Sequence, residues 1–335
     1  MKAKSIVIAA ISGLFVLPVA ANACDLCQAY NPQLHSAGVS SSDSLDGTAS
    51  KGMFAGLSHR FTHYESNVRQ DGFTSFPGQH IESNITQVIA GGELMPSTVM
   101  QFNLPFITRS YRRVVDRSVD KGSETGIGDA VAQLRYILPQ VGQSCASDGY
   151  TLHTEVHAGL KLPTGDSGRL GEEHEEVTAL RHGTQEGSLV GGDDLALGSG
   201  SFDPILGAKA VLDIDPLFFS AHAAYTFRQP GDHDYAYGGG IDWGAGTGAE
   251  VFGSGASTLL LSAELAGEYK SRDRLAAHEV SGSEDRRIFL GPQLTYVAGE
   301  SLSLATGIDF PLYTESAADS VVPHYRLNAS LVGRF

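Results

Sequence analysis

The amino-acid sequence predicts an all-β fold, a transmembrane antiparallel β-barrel of about 12 strands with both termini on the periplasmic side. Three observations lead to this prediction. The chain begins with an export signal, segments of strand length with alternating polarity follow one another to the last residue, and the connections between them alternate between long and short.

The first part of the chain has the three features of a signal peptide. Lys2 and Lys4 precede the apolar run IVIAAISGLFVLPVA, and the run is followed by the small-residue pattern Ala21, Asn22, Ala23. No later stretch reaches the roughly 20 apolar residues of a membrane-spanning helix. The sequence therefore predicts an exported chain divided into a signal peptide (1–23), an N-terminal periplasmic segment or lumen plug (24–52) and a β-barrel (53–335).

Composition narrows the class of partner. The formal net charge is −15, and cleavage of a leader with two lysines and no acidic residue takes it to −17. An acidic chain disfavours nucleic acid, so no nucleic-acid partner is expected. The 40 glycines and 13 prolines divide the chain into short segments, as an all-β fold requires.

Segments of strand length run through the chain, each near the roughly 9 to 11 residues that a tilted membrane strand needs. Their side chains alternate in polarity with the period of two that strands impose, most clearly in Tyr150 to Leu162. The predicted strands are Met53 to Tyr64, Gln79 to Ala90, Thr98 to Ile107, Gly126 to Leu138, Tyr150 to Leu162, Phe202 to Asp213, Leu217 to Arg228, Tyr235 to Ala245, Thr258 to Lys270, Arg286 to Val297, Leu302 to Tyr313 and Pro323 to Phe335.

The connections favour a membrane barrel over a soluble one. Outer-membrane barrels have short periplasmic turns and long outer loops. The predicted outer loops include Glu65 to Gly78, Thr108 to Thr125, Pro163 to Ser201 and Ser271 to Asp285, whereas the inner connections are GGELMPS, LPQVGQSCASDG, DIDP, GTGAEVFGSGAS and AGES. The exceptions are QPGDHD, which is short for an outer loop, and the two longer inner connections around Cys145 and Phe252. A secreted β-sandwich or propeller would explain the signal and the strands, but it would not predict this alternation in loop length.

The last predicted strand ends on Phe335, with apolar residues at every second position before it. Because a closed barrel has no edges, this strand is expected to pair with the first. The terminal aromatic resembles the signature by which bacterial barrels are recognised by the barrel-assembly machinery. The resemblance implies localisation in the bacterial outer membrane, with outer-membrane lipid and the assembly machinery as partners.

Three phrases carry a family resemblance: GIGDAVAQLRY from Gly126, AGLKLPTGD from Ala158 and GSGSFDPILGA from Gly198. Together they resemble the outer-membrane barrels of the phenol-degradation meta-pathway family, often described as transporters. The resemblance implies a barrel associated with the passage of small molecules, including hydrophobic or aromatic ones. No binding residue can be transferred from that family, because its substrates are largely unassigned.

Polar faces of the strands predict a charged lumen. If the apolar faces meet lipid, these side chains either set the selectivity of a pore or pair across the interior and fill it. The inward set comprises Arg60, Gln101, Asn103, Asp129, Gln133, Arg135, His153, Glu155, His157, Lys161, Asp242, Glu264, Glu268, Asp309, Arg326, Asn328 and Arg334. The transport candidates are His153, Glu155, His157, Lys161, Asp242, Glu264, Glu268, Asp309, Arg326 and Arg334.

Two places in the sequence could bind a metal ion. His153, Glu155 and His157 occupy one face of a strand at a spacing of two, although a polar lumen produces the same pattern. The outer loop contains GEEHEE and the pair Asp193 and Asp194, which are oxygen donors for a divalent cation or simply solvated acids.

Three cysteines leave alternatives open. Cys24 and Cys27 form CDLC, and Cys145 lies in an inner connection. A disulfide between Cys24 and Cys27, one between Cys27 and Cys145, a redox role and lipidation of Cys24 are all compatible with an exported chain. Haem attachment fails because Gln28 stands where CxxCH requires histidine, and no cofactor is expected.

The sequence therefore predicts an outer-membrane channel for a small-molecule cargo that diffuses passively through a polar lumen. It contains no G-x-S-x-G motif and no other recognisable catalytic arrangement, so an enzyme is not expected. The alternative is a non-conducting barrel that partners periplasmic redox or metal proteins through its N-terminal CxxC. Oligomeric state is not determined by the sequence.

Overall fold

The structure, a computed structural model, describes residues 52–66, 78–115, 118–143, 149–173, 189–254, 257–299, 301–316 and 321–335. The predicted signal peptide, the N-terminal segment to residue 51, and Cys24, Cys27 and Cys145 lie outside these ranges. Predictions that concern them therefore stay predictions.

Seventeen strands are formed by the described residues. In chain order they are β1 (Met53–Ser66), β2 (His80–Met95), β3 (Thr98–Val115), β4 (Ser118–Ile127), β5 (Ala130–Ile137), β6 (Val141–Gln143), β7 (Tyr150–Leu162), β8 (Asp203–Ile214), β9 (Leu217–Thr226), β10 (Tyr235–Ala236), β11 (Gly240–Ser254), β12 (Ser257–Lys270), β13 (Arg274–Leu275), β14 (His278–Glu279), β15 (Asp285–Ala298), β16 (Leu302–Glu315) and β17 (Val321–Arg334).

A closed antiparallel barrel of 12 strands is the body of the molecule, as predicted. Its strands follow the order β1, β2, β3, β5, β7, β8, β9, β11, β12, β15, β16, β17. The ring closes between the last strand and the first, in a register that pairs Leu57 with Leu331 and Phe61 with Leu327. One end of the barrel carries the short turns and Phe335, and we call it the turn end. The other carries the longer connections and is called the loop end.

One predicted outer loop, Thr108 to Thr125, is wrong, because most of it is strand. β3 continues to Val115 and pairs with β4 in a hairpin that runs from Phe106 opposite Ile127 to Val115 opposite Ser118. The side chains of β4 are largely exposed on both faces. Two wet faces remove the alternation in polarity on which the strand prediction depends.

The predicted strand Tyr235 to Ala245 also needs correction at both ends. β11 begins at Gly240 and continues to Ser254, so most of the predicted inner connection GTGAEVFGSGAS is strand. Tyr235 and Ala236 instead pair with Leu275 and Arg274 in a small three-stranded sheet with β14. Glycine at every second position from Gly244 to Gly248 hides the alternation of polarity.

The two faces of the barrel wall differ as the sequence predicts. Polar side chains on the inward face are buried, including Arg60, Gln87, Gln101, Lys209 and Glu264. Large apolar side chains on the outward face are exposed, and they include Leu57, Val88, Phe102, Phe106, Leu134, Val156, Leu206, Phe219, Leu261, Leu290, Leu304, Phe310, Leu327 and Leu331. An apolar outer surface around a polar interior is the pattern of a barrel whose solvent is lipid.

Short apolar clusters lie inside the barrel at the turn end. Phe54, Ile89, Val99 and Val332 pack together on one side, and Phe218 packs with Leu260 on another. The short helix Gly192–Leu195 lies at the opposite, loop end. Within the described part of the chain, no helix is both long enough and apolar enough to cross a bilayer.

Candidate functional site

The barrel interior brings together the predicted lumen residues. Arg60, Gln101, His157, Glu268 and Arg326 are each less than 5% exposed, and Asp242 lies on the same inward face of β11, opposite Glu268. Asp129 is buried in the connection between β4 and β5. The remaining members are buried or partly buried on the inward faces of their strands, and they are Asn103, Gln133, Arg135, His153, Glu155, Lys161, Glu264, Asp309, Asn328 and Arg334. The interior is therefore a mixed-charge surface.

On the β5–β7–β8 side, the charges are paired between neighbouring strands. Arg135 Nη2 lies 2.5 Å from Glu155 Oε2. His153 Nε2 lies 3.3 Å from Asp213 Oδ2, and its Nδ1 lies 3.3 Å from the amide nitrogen of Gln140. Glu155 and His153 thus face different partners.

The candidate metal ligands of the sequence lie only partly within the described residues, because GEEHEE continues beyond residue 173. Among the described residues, no group of three or more His, Cys, Asp or Glu side chains is arranged to hold a metal ion. Asp194 instead accepts a hydrogen bond from the backbone N–H of Gly191 at 3.2 Å, as residues at a helix start do.

On the β12–β17 side, a hydrogen-bonded chain crosses the inner wall. Arg60 Nε donates to Asn328 Oδ1 at 3.0 Å, and Asn328 Nδ2 donates to Asp309 Oδ2 at 2.6 Å. Arg326 donates to Glu268, and its guanidinium carbon lies 3.5 Å from the centre of the Phe289 ring. The guanidinium of Arg326 is therefore stabilised on one side by a carboxylate and on the other by an aromatic face.

Lys161 is the centre of a buried ion cluster near the loop end. Its Nζ lies 2.6 Å from Asp129 Oδ2 and 2.9 Å from Asp203 Oδ2, and it also donates to Ser199. Arg228 Nη1 provides a second positive charge, 3.0 Å from Asp203 Oδ2. Two carboxylates and two cations balance one another, so the cluster is neutral although it is buried.

Part of the connection between β7 and β8 folds into the barrel. We call Leu189–Ser201 the inner segment; it contains the short helix Gly192–Leu195. Leu189, Val190 and Leu195 pack among inward side chains of four strands, namely Tyr64, Ile81, Tyr111 and Val321. Leu197 packs deeper, against Ile85 and Ile107. The inner segment therefore occupies the lumen at the loop end.

Two wall residues hold the backbone of the inner segment. Arg109, on the inward face of β3, donates to the carbonyl of Asp194 at 2.8 Å and to that of Ala196. Gln79 Oε1 accepts the backbone N–H of Leu189 at 3.0 Å. These contacts satisfy backbone groups that would otherwise be buried without partners.

Two neighbouring loops cover the inner segment from outside. Tyr237 Oη donates to the carbonyl of Asp193 at 2.9 Å, and Tyr235 Oη donates to Asp273 Oδ2 at 2.6 Å while lying 3.4 Å from Asp193 Oδ2. Lys270 Nζ reaches the same oxygen of Asp273 at 2.8 Å. Burial raises the pKa of Asp193 above its ordinary value, although the charge of Lys270 opposes the shift.

Sequence reasoning missed the inner segment and the residues that hold it. Arg109, Tyr235 and Tyr237 were not predicted as site residues, and Asp129 was predicted to point inward but not to pair with Lys161. The alternation of Arg109, Tyr111 and Arg113 within TRSYRRVV was a signal that β3 continues, with these side chains pointing inward. The inner segment, which begins LVGGDDLALGSG, shows no comparable alternation of polarity.

The closed barrel, its apolar outer surface and its polar interior define an outer-membrane β-barrel protein of the bacterial outer membrane. Because such barrels carry their long loops outside, the loop end faces the exterior and the turn end faces the periplasm. No protein-family model and no curated protein sequence matches the chain.

Solved structures do resemble it. An outer membrane channel from Pseudomonas putida F1 aligns at 14% identity with a TM-score of 0.57, over 85% of this chain and 96% of that one. The β-domain of the Bordetella autotransporter BrkA aligns at 11% identity with a TM-score of 0.45, over 85% and 100% of the two chains. The NanC porin aligns at 10% identity with a TM-score of 0.38, over 83% and 99%.

The similarity to the Pseudomonas channel shows a shared fold. It is consistent with the resemblance carried by GIGDAVAQLRY, AGLKLPTGD and GSGSFDPILGA, but membership in the phenol-degradation meta-pathway family stays a hypothesis.

Proposed function

We propose that the protein is an outer-membrane channel through which small molecules cross by passive diffusion. The observation that supports the proposal is the inward face of the barrel, where charged and amide side chains from most strands form a largely polar lining between apolar clusters. A barrel with only a structural role needs an apolar outer surface, but it does not need so many ionisable groups inside, each of which costs free energy to bury.

The cargo is a small molecule that tolerates both polar and apolar surroundings. Its path would run past the polar wall formed by Arg60, Asn328 and Asp309, and then past the apolar side chains Phe54 and Phe218 at the turn end. An amphipathic solute, such as a small aromatic acid or alcohol, fits this order of surfaces. The family resemblance of the sequence points to the same class.

Liposome swelling tests the proposal directly. The mature chain is refolded into liposomes, and swelling rates are compared for solutes of equal size but different polarity, from arabinose to benzoate and phenylalanine. Faster entry of the aromatic solutes than of the sugar supports the proposed cargo. Equal permeability to every small solute would support channel function but contradict the proposed preference for aromatic solutes.

Swelling no faster than in protein-free liposomes, from folded chains both with and without residues 25–50, would contradict channel function. It would favour the alternative of a non-conducting barrel that recruits periplasmic partners through Cys24 and Cys27. The same measurement on a chain lacking residues 25–50 tests whether the predicted N-terminal segment blocks the lumen.

A further inference from the structure

We propose that the inner segment is the gate of this channel, and that Tyr235 and Tyr237 are positioning residues which latch it inside the barrel. The inference rests on the proposed channel function, because a gate acts only in a barrel that conducts.

The position of the inner segment gives it control of the passage. Its apolar side chains reach inward residues of β1, β2, β3 and β17, and Leu197 extends to Ile85 and Ile107 below them. A solute that enters at the loop end meets this segment before it meets the polar wall around Arg326. Displacement of the segment would therefore widen the first part of the path.

The two ends of the inner segment are held by different forces. At its C-terminal end, Ser199 donates to Asp129 Oδ2 at 2.9 Å and joins the Lys161 ion cluster. Breaking a buried ion cluster is costly because it leaves charges without partners. At its helix, the outer loops contribute one neutral hydrogen bond to a backbone carbonyl, from Tyr237, and a longer contact from Tyr235. Arg109 adds hydrogen bonds from the barrel wall to the carbonyls of Asp194 and Ala196. Because these helix contacts are hydrogen bonds to backbone groups or to a single carboxylate, and none joins two charged side chains, the helix end is the end that we expect to be released.

Backbone geometry next to the ion cluster fixes the C-terminal end of the inner segment. Gly200 has a φ of +70°, and a Cβ there would lie 2.4 Å from the carboxylate of Asp232. Only glycine adopts this conformation in so little space without strain. Gly200 therefore forms a fixed tight turn while Ser199 and Ser201, on either side of it, are bound to Lys161. The ion cluster thus anchors the C-terminal end of the inner segment.

The latch couples the inner segment to two outer loops at once. Asp273 Oδ1 accepts the backbone N–H of Gly238 at 2.7 Å, and a Cβ on Gly238 would lie 1.7 Å from the carbonyl oxygen of Ser271. The loop that carries Tyr235 and Tyr237 is thus pressed against the loop that carries Asp273. Binding of an external molecule to either loop would be transmitted to the helix through the two tyrosines.

Single-channel recording of hydroxyl-deletion variants tests the latch. We expect the double variant Tyr235→Phe, Tyr237→Phe to increase the open probability roughly ten-fold, the factor that corresponds to about 1.4 kcal/mol for lost hydrogen bonds. Tyr313→Phe is the matched control, because the hydroxyl of Tyr313 bonds to Glu315 on the exposed rim. Equal open probabilities in the wild type, the double variant and the Tyr313→Phe control would contradict the proposed latch.

A disulfide between the inner segment and the barrel wall tests whether the increased open probability of the tyrosine variants requires release of the inner segment. In a background with Cys24, Cys27 and Cys145 changed to serine, Ile107→Cys and Leu197→Cys place thiols in one packed cluster. We expect the oxidised trap to abolish the gain from the tyrosine variants and reduction to restore it. A gain that persists in the oxidised protein would show that another element gates the channel.

A further variant distinguishes a wrong gate proposal from a wrong channel proposal. A chain in which a short Gly-Ser linker replaces residues 168–198 should conduct continuously. If it conducts while the latch variants behave like wild type, the gate is wrong and the channel stands. If it carries no current either, with or without residues 25–50, the proposed function itself is wrong.

Discussion

Met53 and Phe335 exchange a pair of backbone hydrogen bonds, each 2.9 Å long, between the N–H of one residue and the carbonyl of the other. This pair continues the antiparallel register of β1 and β17 to the turn end. Every strand of the barrel consequently has two neighbours, and the wall has no edge that would need water inside a bilayer.

Because the outward face meets lipid, the loss of stability caused by a charge on that face should depend strongly on its depth in the bilayer. Leu331→Arg places a charge on the lipid-facing side of β17, opposite Leu57. We expect it to lower the free energy of unfolding by about 2–4 kcal/mol in lipid vesicles. His324→Arg, at the exposed rim of the same strand, should cost about 0–1 kcal/mol. Urea titration of the vesicle-bound proteins measures both, and equal costs would contradict the placement of β17.

Removing one partner of a buried ion pair should lower the free energy of unfolding more than removing one partner of an exposed pair, and the same urea titration measures both. Glu268→Gln removes the carboxylate that faces Arg326 inside the barrel, where both side chains are less than 5% exposed. We expect destabilisation of roughly 3 kcal/mol, because a buried guanidinium loses a charged partner.

Glu315→Gln is the comparison, since Arg286 and Glu315 are 3.4 Å apart and about half exposed. Its expected effect is about 0–1 kcal/mol. If Glu268→Gln proved as mild as Glu315→Gln, the interior would be as well solvated as the rim.

The Lys161 cluster predicts an asymmetry between single and paired substitutions. Lys161→Met leaves Asp129 and Asp203 facing each other with only Arg228 to compensate, so we expect a loss of about 3–5 kcal/mol. Adding Asp129→Asn removes one of the uncompensated charges and should recover part of that loss. Additive losses in the double variant would show that the two residues do not interact.

The latch predicts a pH dependence of gating. Burial raises the pKa of Asp193 above the ordinary value of 3.8, with Lys270 opposing and Asp273 reinforcing the shift. Asp194, Glu173, Tyr235 and Tyr237 are the other titratable groups around it. Because the pKa is raised in the latched state, protonation favours the latch, which is strongest below pH 3.8 and weakens as pH rises through the raised pKa.

Open probability should therefore increase with pH from 3.8 upward and then level off. Asp193→Asn should show a much flatter profile, since its side chain does not titrate. The measurement is open probability in planar bilayers at stepped pH, with Tyr313→Phe as a control. A wild-type profile identical to that of Asp193→Asn would remove Asp193 from the mechanism.

Sequence reasoning succeeded where lipid imposes a pattern. Leu152 to Leu162 and Leu302 to Leu312 alternate because one face must be apolar across the membrane, and the observed strands Tyr150–Leu162 and Leu302–Glu315 contain both stretches. β4 was missed because its side chains are largely exposed on both faces and do not alternate in polarity. Local polarity therefore predicts the barrel but not its extensions.

The contacts that define the site depend on distant parts of the chain. Lys161 was predicted to point inward, but its partners Asp129 and Asp203 lie in other strands or connections. Arg109 meets Ala196 only because the connection after β7 turns into the lumen. No periodic pattern of polarity in the sequence indicates such a turn, so the inner segment could not be predicted.

Single-channel conductance of the refolded mature chain in a planar bilayer tests the central claim most directly. The account predicts brief openings of the wild type, longer ones in the tyrosine double variant, and continuous current when residues 168–198 are replaced. A folded barrel that carries no current in any of these forms, with residues 25–50 also removed, would contradict the claim that this protein is a channel.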